Sequence, residues 1–172
     1  MNVALFGFMG VGKSAVGQIL AEKMGLGFVD LDEEIVGRAG RDIASIFRED
    51  GEAAFREMEK EVTRDIAARD HQVIACGGGA VLDGENLRRL RKGSTMILLT
   101  AEPETILGRV EAEGETRPLL TRGNRIERIR SLLSARQPRY LKAADFVVDT
   151  SGKTPEQIAD EIMGFLQAVN AA

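Results

Sequence analysis

Short unbroken apolar runs alternate along this chain with longer stretches of mixed polarity. Residues 3–6 (Val-Ala-Leu-Phe) form one such run and stop at Gly7, which reads as a buried strand. Over residues 14–24, Val16, Ile19, Leu20 and Met24 recur at helical spacing and predict a helix with one apolar face. Phe28 and Val29 predict a second short strand ending at Asp30, with Asp32 placed to N-cap the helix that follows. Residues 42–49 and 52–69 read as helices broken at Gly51. Residues 73–75 predict a strand running into three glycines, 86–92 a short helix, 95–99 a strand and 104–111 a helix. Residues 125–136 predict a helix that stops near Pro138, since proline lacks the N–H a helix interior needs. Residues 146–148 and 154–169 close the chain with a strand and a helix.

Strands alternating with helices define an α/β fold whose parallel sheet is covered on both faces. The strands are apolar without alternation, as strands buried on both sides should be. The length of 172 residues suits a single domain. In such sheets ligands gather beyond the carboxyl ends of the strands. The site is therefore expected at Gly7 onward, at Asp30 to Asp32, at Gly77 to Gly79 and after Thr100.

Composition narrows the functions. The net charge of −4 and the lack of a basic stripe speak against a nucleic-acid partner. The one dense basic run, Arg88, Arg89, Arg91 and Lys92, reads as a solvated helix face. No apolar run approaches the ~20 residues that a membrane span requires. The single cysteine, Cys76, follows an apolar run and reads as a buried core thiol, in keeping with a reducing, cytoplasmic setting. His71, the only histidine, reads as an exposed loop residue, and Phe8 and Met9 as loop packing.

The chemistry concentrates in four places. Gly7-Phe8-Met9-Gly10-Val11-Gly12-Lys13-Ser14 matches the phosphate-binding pattern G-x-x-x-x-G-K-[ST], set between a strand and a helix. Glycines let backbone N–H groups close on phosphate oxygens, and the following helix adds the positive end of its dipole. Lys13 brings a point charge to the β and γ phosphates, and the Ser14 hydroxyl is a hard ligand for Mg²⁺. Asp30 and Asp32, two residues apart at a strand end, are expected to face the same way. One would hold the metal's hydration shell, the other an acceptor hydroxyl. Gly77-Gly78-Gly79 suits a close approach of ligand to backbone. Arg56, Arg117 and Arg136 complete the set: two arginines beside Asp32 would suit a hydroxylated acid, and one in a mobile flap would neutralise charge on the transferred phosphoryl group.

In combination these residues resemble shikimate kinase, along essentially the whole chain. The resemblance rests on residues 7–14, Val-Asp-Leu-Asp at 29–32, Gly51-Glu52 with Phe55-Arg56, the triple glycine at 77–79, Arg-Pro-Leu-Leu at 117–120, Arg136 with Pro138 and Tyr140, and Val-Asp-Thr at 148–150. It implies a P-loop kinase-like sandwich with a five-stranded parallel sheet and a lid at roughly residues 111–125. It implies phosphorylation of the 3-hydroxyl of shikimate by Mg·ATP, in a cytoplasmic, monomeric enzyme of the aromatic amino-acid pathway. Gly10, Val11, Gly12, Lys13, Ser14 and Ala15 would cradle the ATP phosphates, and Ser14 and Asp30 would serve Mg²⁺. Asp32 would hold the acceptor hydroxyls and help activate the attacking oxygen. Arg56 and Arg136 would fork the carboxylate, with the Gly77–Gly79 backbone, Gly78 above all, beside them and Glu59 orienting Arg56. Arg117 would reach the ATP phosphates from the lid, and Arg109 and Lys153 would lie near adenine. The chain departs from the family at Ala15, where a second hydroxyl is common, in the acidic Glu111, Glu113 and Glu115, and at Lys153, where arginine is frequent. Two other readings stand beside this one: a kinase for another hydroxy acid such as gluconate, and a non-catalytic ligand-sensing domain on the same fold.

Overall fold

The structure, a computed structural model, describes residues 1–112 and 124–171. Arg117 and most of the expected lid lie outside the described residues. The elements run β1 (Asn2–Phe6), α1 (Lys13–Met24), β2 (Gly27–Asp30), α2 (Leu31–Ala39), α3 (Ile43–Asp50), α4 (Glu52–Ala67) and β3 (Gln72–Ala75). A 3₁₀ turn at Ala80–Leu82 follows. The chain continues through α5 (Gly84–Gly93), β4 (Ser94–Thr100), α6 (Pro103–Ala112), α7 (Arg125–Ala143), β5 (Phe146–Asp149) and α8 (Pro155–Ala171).

All five strands join one parallel sheet in the order β2-β3-β1-β4-β5. Every residue of β1 is buried. Successive strand side chains point to opposite faces, so β1 is covered on both sides. Leaving β1 the chain crosses to the β2 edge, whereas leaving β3 it crosses to β4. The connections after β1 and β3 thus part in opposite directions above neighbouring strands, which opens a crevice there. Leu5 stands level with Ala75, and Cys76 N donates to the Leu5 carbonyl at 2.9 Å. The Gly7 loop and the triple glycine therefore start side by side.

The apolar face expected of α1 is present, with Val16 and Leu20 in the core and Ile19 and Met24 partly buried against it; Gly17 and Ala21 are buried beside them. A Cβ on Gly17 would come within 2.5 Å of the Phe28 ring. The helix lies so close to β2 that small residues make the contact.

Asp32 does not cap α2. Asp30 does, its Oδ1 accepting from the N–H of Asp32 at 2.9 Å and of Glu33 at 3.2 Å. The two carboxylates therefore do not alternate along one strand: Asp30 ends β2, and Asp32 sits in the first turn of α2.

Finally, α7 does not stop near Pro138; it runs through it to Ala143. Proline costs an interior helix a hydrogen bond. Burial beyond it repays the loss, because Tyr140 is fully buried with its ring edge-on to Phe6 and Ala143 is buried as well. The basic run on α5 is a surface face: Arg89 pairs with Glu85 at 2.7 Å, and Arg91 donates to the Lys142 carbonyl at 2.9 Å.

Candidate active site

The loop after β1 is shaped by backbone that only glycine adopts easily. Gly10 and Gly12 have φ of 74° and 93°. Gly12 caps α1 with no side-chain hydrogen bond, so the first N–H groups of that helix are turned toward the loop. Lys13 Nζ lies within the same loop, donating to the Gly7 carbonyl at 2.7 Å and the Phe8 carbonyl at 3.1 Å. Together these groups make a cradle of positive potential suited to a polyphosphate.

The Ser14 hydroxyl donates to Asp30 Oδ2, while Oδ1 of the same carboxylate holds the start of α2. Two hard oxygens thus meet at the mouth of the phosphate loop. No group of three or more histidine, cysteine or acidic side chains placed to hold a metal occurs among the described residues. The Ser14 and Asp30 oxygens could serve Mg²⁺, which keeps several waters and takes one or two protein oxygens together with substrate phosphates.

A cavity of about 1020 Å³ opens beside the phosphate loop. Its lining includes Gly10, Gly12, Lys13, Ser14 and Ala15 of the phosphate loop and α1, with Asp30. Asp32, Arg56, Glu59, Arg136 and Gly77, Gly78 and Gly79 line it as well. Each of the three glycines faces one of these side chains. A Cβ on Gly77 would stand 2.7 Å from Asp32 Oδ1, one on Gly78 3.4 Å from Arg136 Nη1, and one on Gly79 2.5 Å from Arg56 Nη1. Any larger residue would fill the space these groups use.

The two cationic arms are held differently. Arg56 donates to Glu59 Oε1 at 2.9 Å and reaches Glu52 at 3.5 Å. Glu59 is 1% exposed, and burial pushes its carboxyl above the usual range against the downward pull of Arg56. Arg136 lies over the Phe8 ring, 5.6 Å from its centroid. Phe8 therefore does more than pack the loop: its π face supports the second guanidinium. Phe8 itself is buried at a variable position of the phosphate motif, and its partner is 128 positions away in the chain, so local pattern gave no sign of the pairing.

Of the remaining expected positions, Val11 is buried under the loop. Arg109 does not line the cavity. It spans from the Gly10 carbonyl at 3.2 Å to Thr150, whose hydroxyl and carbonyl it reaches at 3.0 and 3.2 Å. Lys153 likewise lies off the cavity, in an ion pair with Glu161 of α8 at 2.9 Å. Residues that sequence reasoning passed over also line the cavity, among them Asp42, Ile43, Phe47 and Arg48 at and within α3. Cys76 is wholly buried behind the triple glycine, with its thiol pushed up to about 12 by burial. His71 is an exposed loop residue.

The phosphate motif lies beside a cavity lined by Asp32, Arg56 and Arg136, so a nucleotide and a small acid could be brought together there. This is the arrangement of an ATP-dependent P-loop kinase for small molecules, and the chain falls in that class. The family model for shikimate kinase matches residues 9–167, and the chain belongs to that family. It is 46% identical to the shikimate kinase of Symbiobacterium thermophilum over 168 residues, 97% of each chain. It is 45% identical to that of Thermodesulfovibrio yellowstonii over 162 residues, 94% of this chain and 92% of the other. Among solved structures, the shikimate kinase from Acinetobacter baumannii in complex with shikimate superposes with a TM-score of 0.93 at 34% identity, covering 97% of this chain and 93% of that one.

Proposed function

We propose that this chain transfers the γ-phosphoryl group of ATP to the 3-hydroxyl of shikimate, giving shikimate 3-phosphate and ADP. The observation that carries the reading is the cavity wall on which Asp32, Arg136 and Arg56 each stand against one glycine of the Gly77–Gly79 run. It offers a carboxylate for hydroxyls and two guanidiniums for an acid, beside a phosphate cradle.

In this reading Arg56 and Arg136 grip the acceptor carboxylate and fix the ring. Asp32 accepts a hydrogen bond from the 3-hydroxyl and takes its proton as the oxygen attacks. The new bond joins that oxygen to the γ phosphorus, and the bond from phosphorus to the β–γ bridging oxygen breaks, leaving ADP. Lys13 and the N–H groups of residues 10–15 neutralise charge on the phosphates. Arg117 adds a cation from the lid. Ser14 and Asp30 would hold Mg²⁺, which would supply positive charge to offset that of the transferred phosphoryl group. Arg109 and Lys153 would serve the adenine end. The enzyme acts as a monomer in the cytoplasm. No helix among the described residues is long and apolar enough to cross a membrane.

The test is a coupled ADP-release assay with Mg·ATP and shikimate, gluconate, quinate or no acceptor. Turnover with shikimate alone is expected. Turnover with gluconate in its place would overturn the acceptor, and none with any acid would favour a ligand sensor. Asp32→Asn is expected to lower kcat by about 10²-fold or more while ATP binding, followed by calorimetry, is retained; full activity would remove Asp32 from its role.

A further inference from the structure

Tyr140 is fully buried, yet it is not simply a core residue. Its ring packs edge-on against Phe6, the last residue of β1, at a centroid distance of 6.0 Å. Its hydroxyl donates to the carbonyl of Gly78, the middle residue of the triple glycine. Arg136 sits one turn earlier on the same helix, and its charge partly offsets the upward push of burial on the Tyr140 hydroxyl. Arg136 also lies over Phe8 and stands beside Gly78. One buried hydroxyl thus holds the Gly78 backbone, and the Arg136 guanidinium stands beside that same glycine; both groups are expected to hold the acceptor's carboxylate side. Its ring is wedged against the strand that carries the phosphate loop. The peptide that ends in the Gly78 carbonyl carries the N–H of Gly79, so fixing that oxygen fixes the plane of the peptide facing the cavity. The carbonyls on either side, those of Gly77 and Gly79, accept from the N–H groups of Ala80 and Leu82 at 3.1 Å each, so Tyr140 supplies the hold on the middle one.

The geometry points to Tyr140 as a positioning residue that fixes the Gly78 peptide and the Arg136 guanidinium in one arrangement for the carboxylate of the acceptor. It touches no substrate itself. The long run of α7 through Pro138 has a purpose in this arrangement, because the helix must continue past the proline for Tyr140 to reach Gly78. This inference rests on the shikimate kinase reading for the identity of the acceptor, though not for the restraint on the loop.

Tyr140→Phe removes the hydroxyl and keeps the ring. The variant is expected to raise the shikimate KM about tenfold, with kcat and the ATP KM within about twofold of the parent. The methyl ester of shikimate, which lacks the carboxylate charge, is expected to show no such penalty between parent and variant. A role in general stability would not distinguish the acid from its ester. In the protein without ligands, amide hydrogen exchange at Gly78 and Gly79 is expected to speed up in the variant. Unchanged exchange at those amides overturns the inference, whatever the acceptor proves to be. An unchanged shikimate KM, or an equal penalty for acid and ester, overturns it in a parent enzyme that uses shikimate. A parent that does not use shikimate refutes the acceptor assignment alone and leaves the exchange result to judge Tyr140.

Discussion

Asp30 does two things with two oxygens, and a pair of substitutions separates them. Oδ2 meets the Ser14 hydroxyl, and Oδ1 caps the helix whose first turn carries Asp32. Asparagine keeps an acceptor for the cap but loses the charge, whereas alanine loses both. Asp30→Asn is expected to leave shikimate binding without nucleotide near the parent value while weakening the response to Mg²⁺. Asp30→Ala is expected to weaken shikimate binding several-fold as well, read by calorimetry; equal binding by the two variants would refute the cap's part in placing Asp32. Glu59 makes a pH prediction. Burial holds its carboxyl above the ordinary 4.5, so the folded state binds the proton more tightly than the unfolded one. Stability from this group is therefore present at low pH and lost as pH rises through the folded value. Glu59→Gln removes that loss. Relative to the parent, the variant is expected to gain stability as pH rises from about 4.5 toward neutrality, measured by urea unfolding at each pH; a difference independent of pH would contradict it. The motif residues at this scale were legible in the chain because phosphate binding demands glycines, lysine and serine at fixed spacing. The cap was not, because Asp30 and Asp32 are both sound N-cap residues and only the start of α2 at Leu31 decides between them.

Most helices and strands begin and end close to where apolar periodicity places them, and two features escape it. In α1 the periodicity finds the face that packs on the core, Ile19 and Met24 included, but not the close contact with β2 made through Gly17. A glycine carries no apolar signal, so a helix face chosen for closeness is invisible to a reading based on hydrophobicity. In α7 a local rule about proline was overridden by the burial of Tyr140, whose partner Gly78 is 62 positions away. Both give predictions about stability. Gly17→Ala gains about 1 kcal/mol of helix propensity, but it drives a methyl to 2.5 Å from the Phe28 ring. Overpacking costs about 1–3 kcal/mol, so a net loss of about 1 kcal/mol is expected in urea unfolding; a stabilised variant would show that the helix moves aside freely. The triple glycine offers a test that reads function in place of stability. Gly77→Ala presses on Asp32 and Gly79→Ala on Arg56. The first is expected to lower kcat mainly, the second to raise the shikimate KM mainly; the same pattern from both would mean that the loop yields as a unit.

Across the whole molecule, the sheet order sorts the expected site residues into two halves. With β1 central, β2 and β3 lie to one side and β4 and β5 to the other. Asp30, Asp32 and the triple glycine follow the first pair, and the Thr150 loop follows β5. Phosphates are expected over β1 between them, so acceptor and adenine would enter from opposite halves of the same edge. This layout was legible only in part. Alternating strands and helices imply a parallel sheet, but no local pattern says which strand lies in the middle, and the order follows from how crossovers pack in three dimensions. Arg109 joins the halves, reaching from the Gly10 carbonyl to Thr150, so the phosphate loop is braced by the loop expected near adenine. Arg109→Ala removes that brace on the nucleotide side and leaves every acceptor contact in place. The ATP KM is expected to rise about tenfold and the shikimate KM to stay within about twofold, because the lost hydrogen bonds lie on the far side of β1 from Asp32 and Arg56. Arg109→Lys restores the charge without the fork that grips Thr150 and Gly10 together, and is expected to recover little. Substantial recovery by lysine would show that charge near the phosphates matters and the brace does not. A rise in both KM values would mean that the halves of the site are coupled through the phosphate loop, contrary to the expected separation of acceptor and nucleotide.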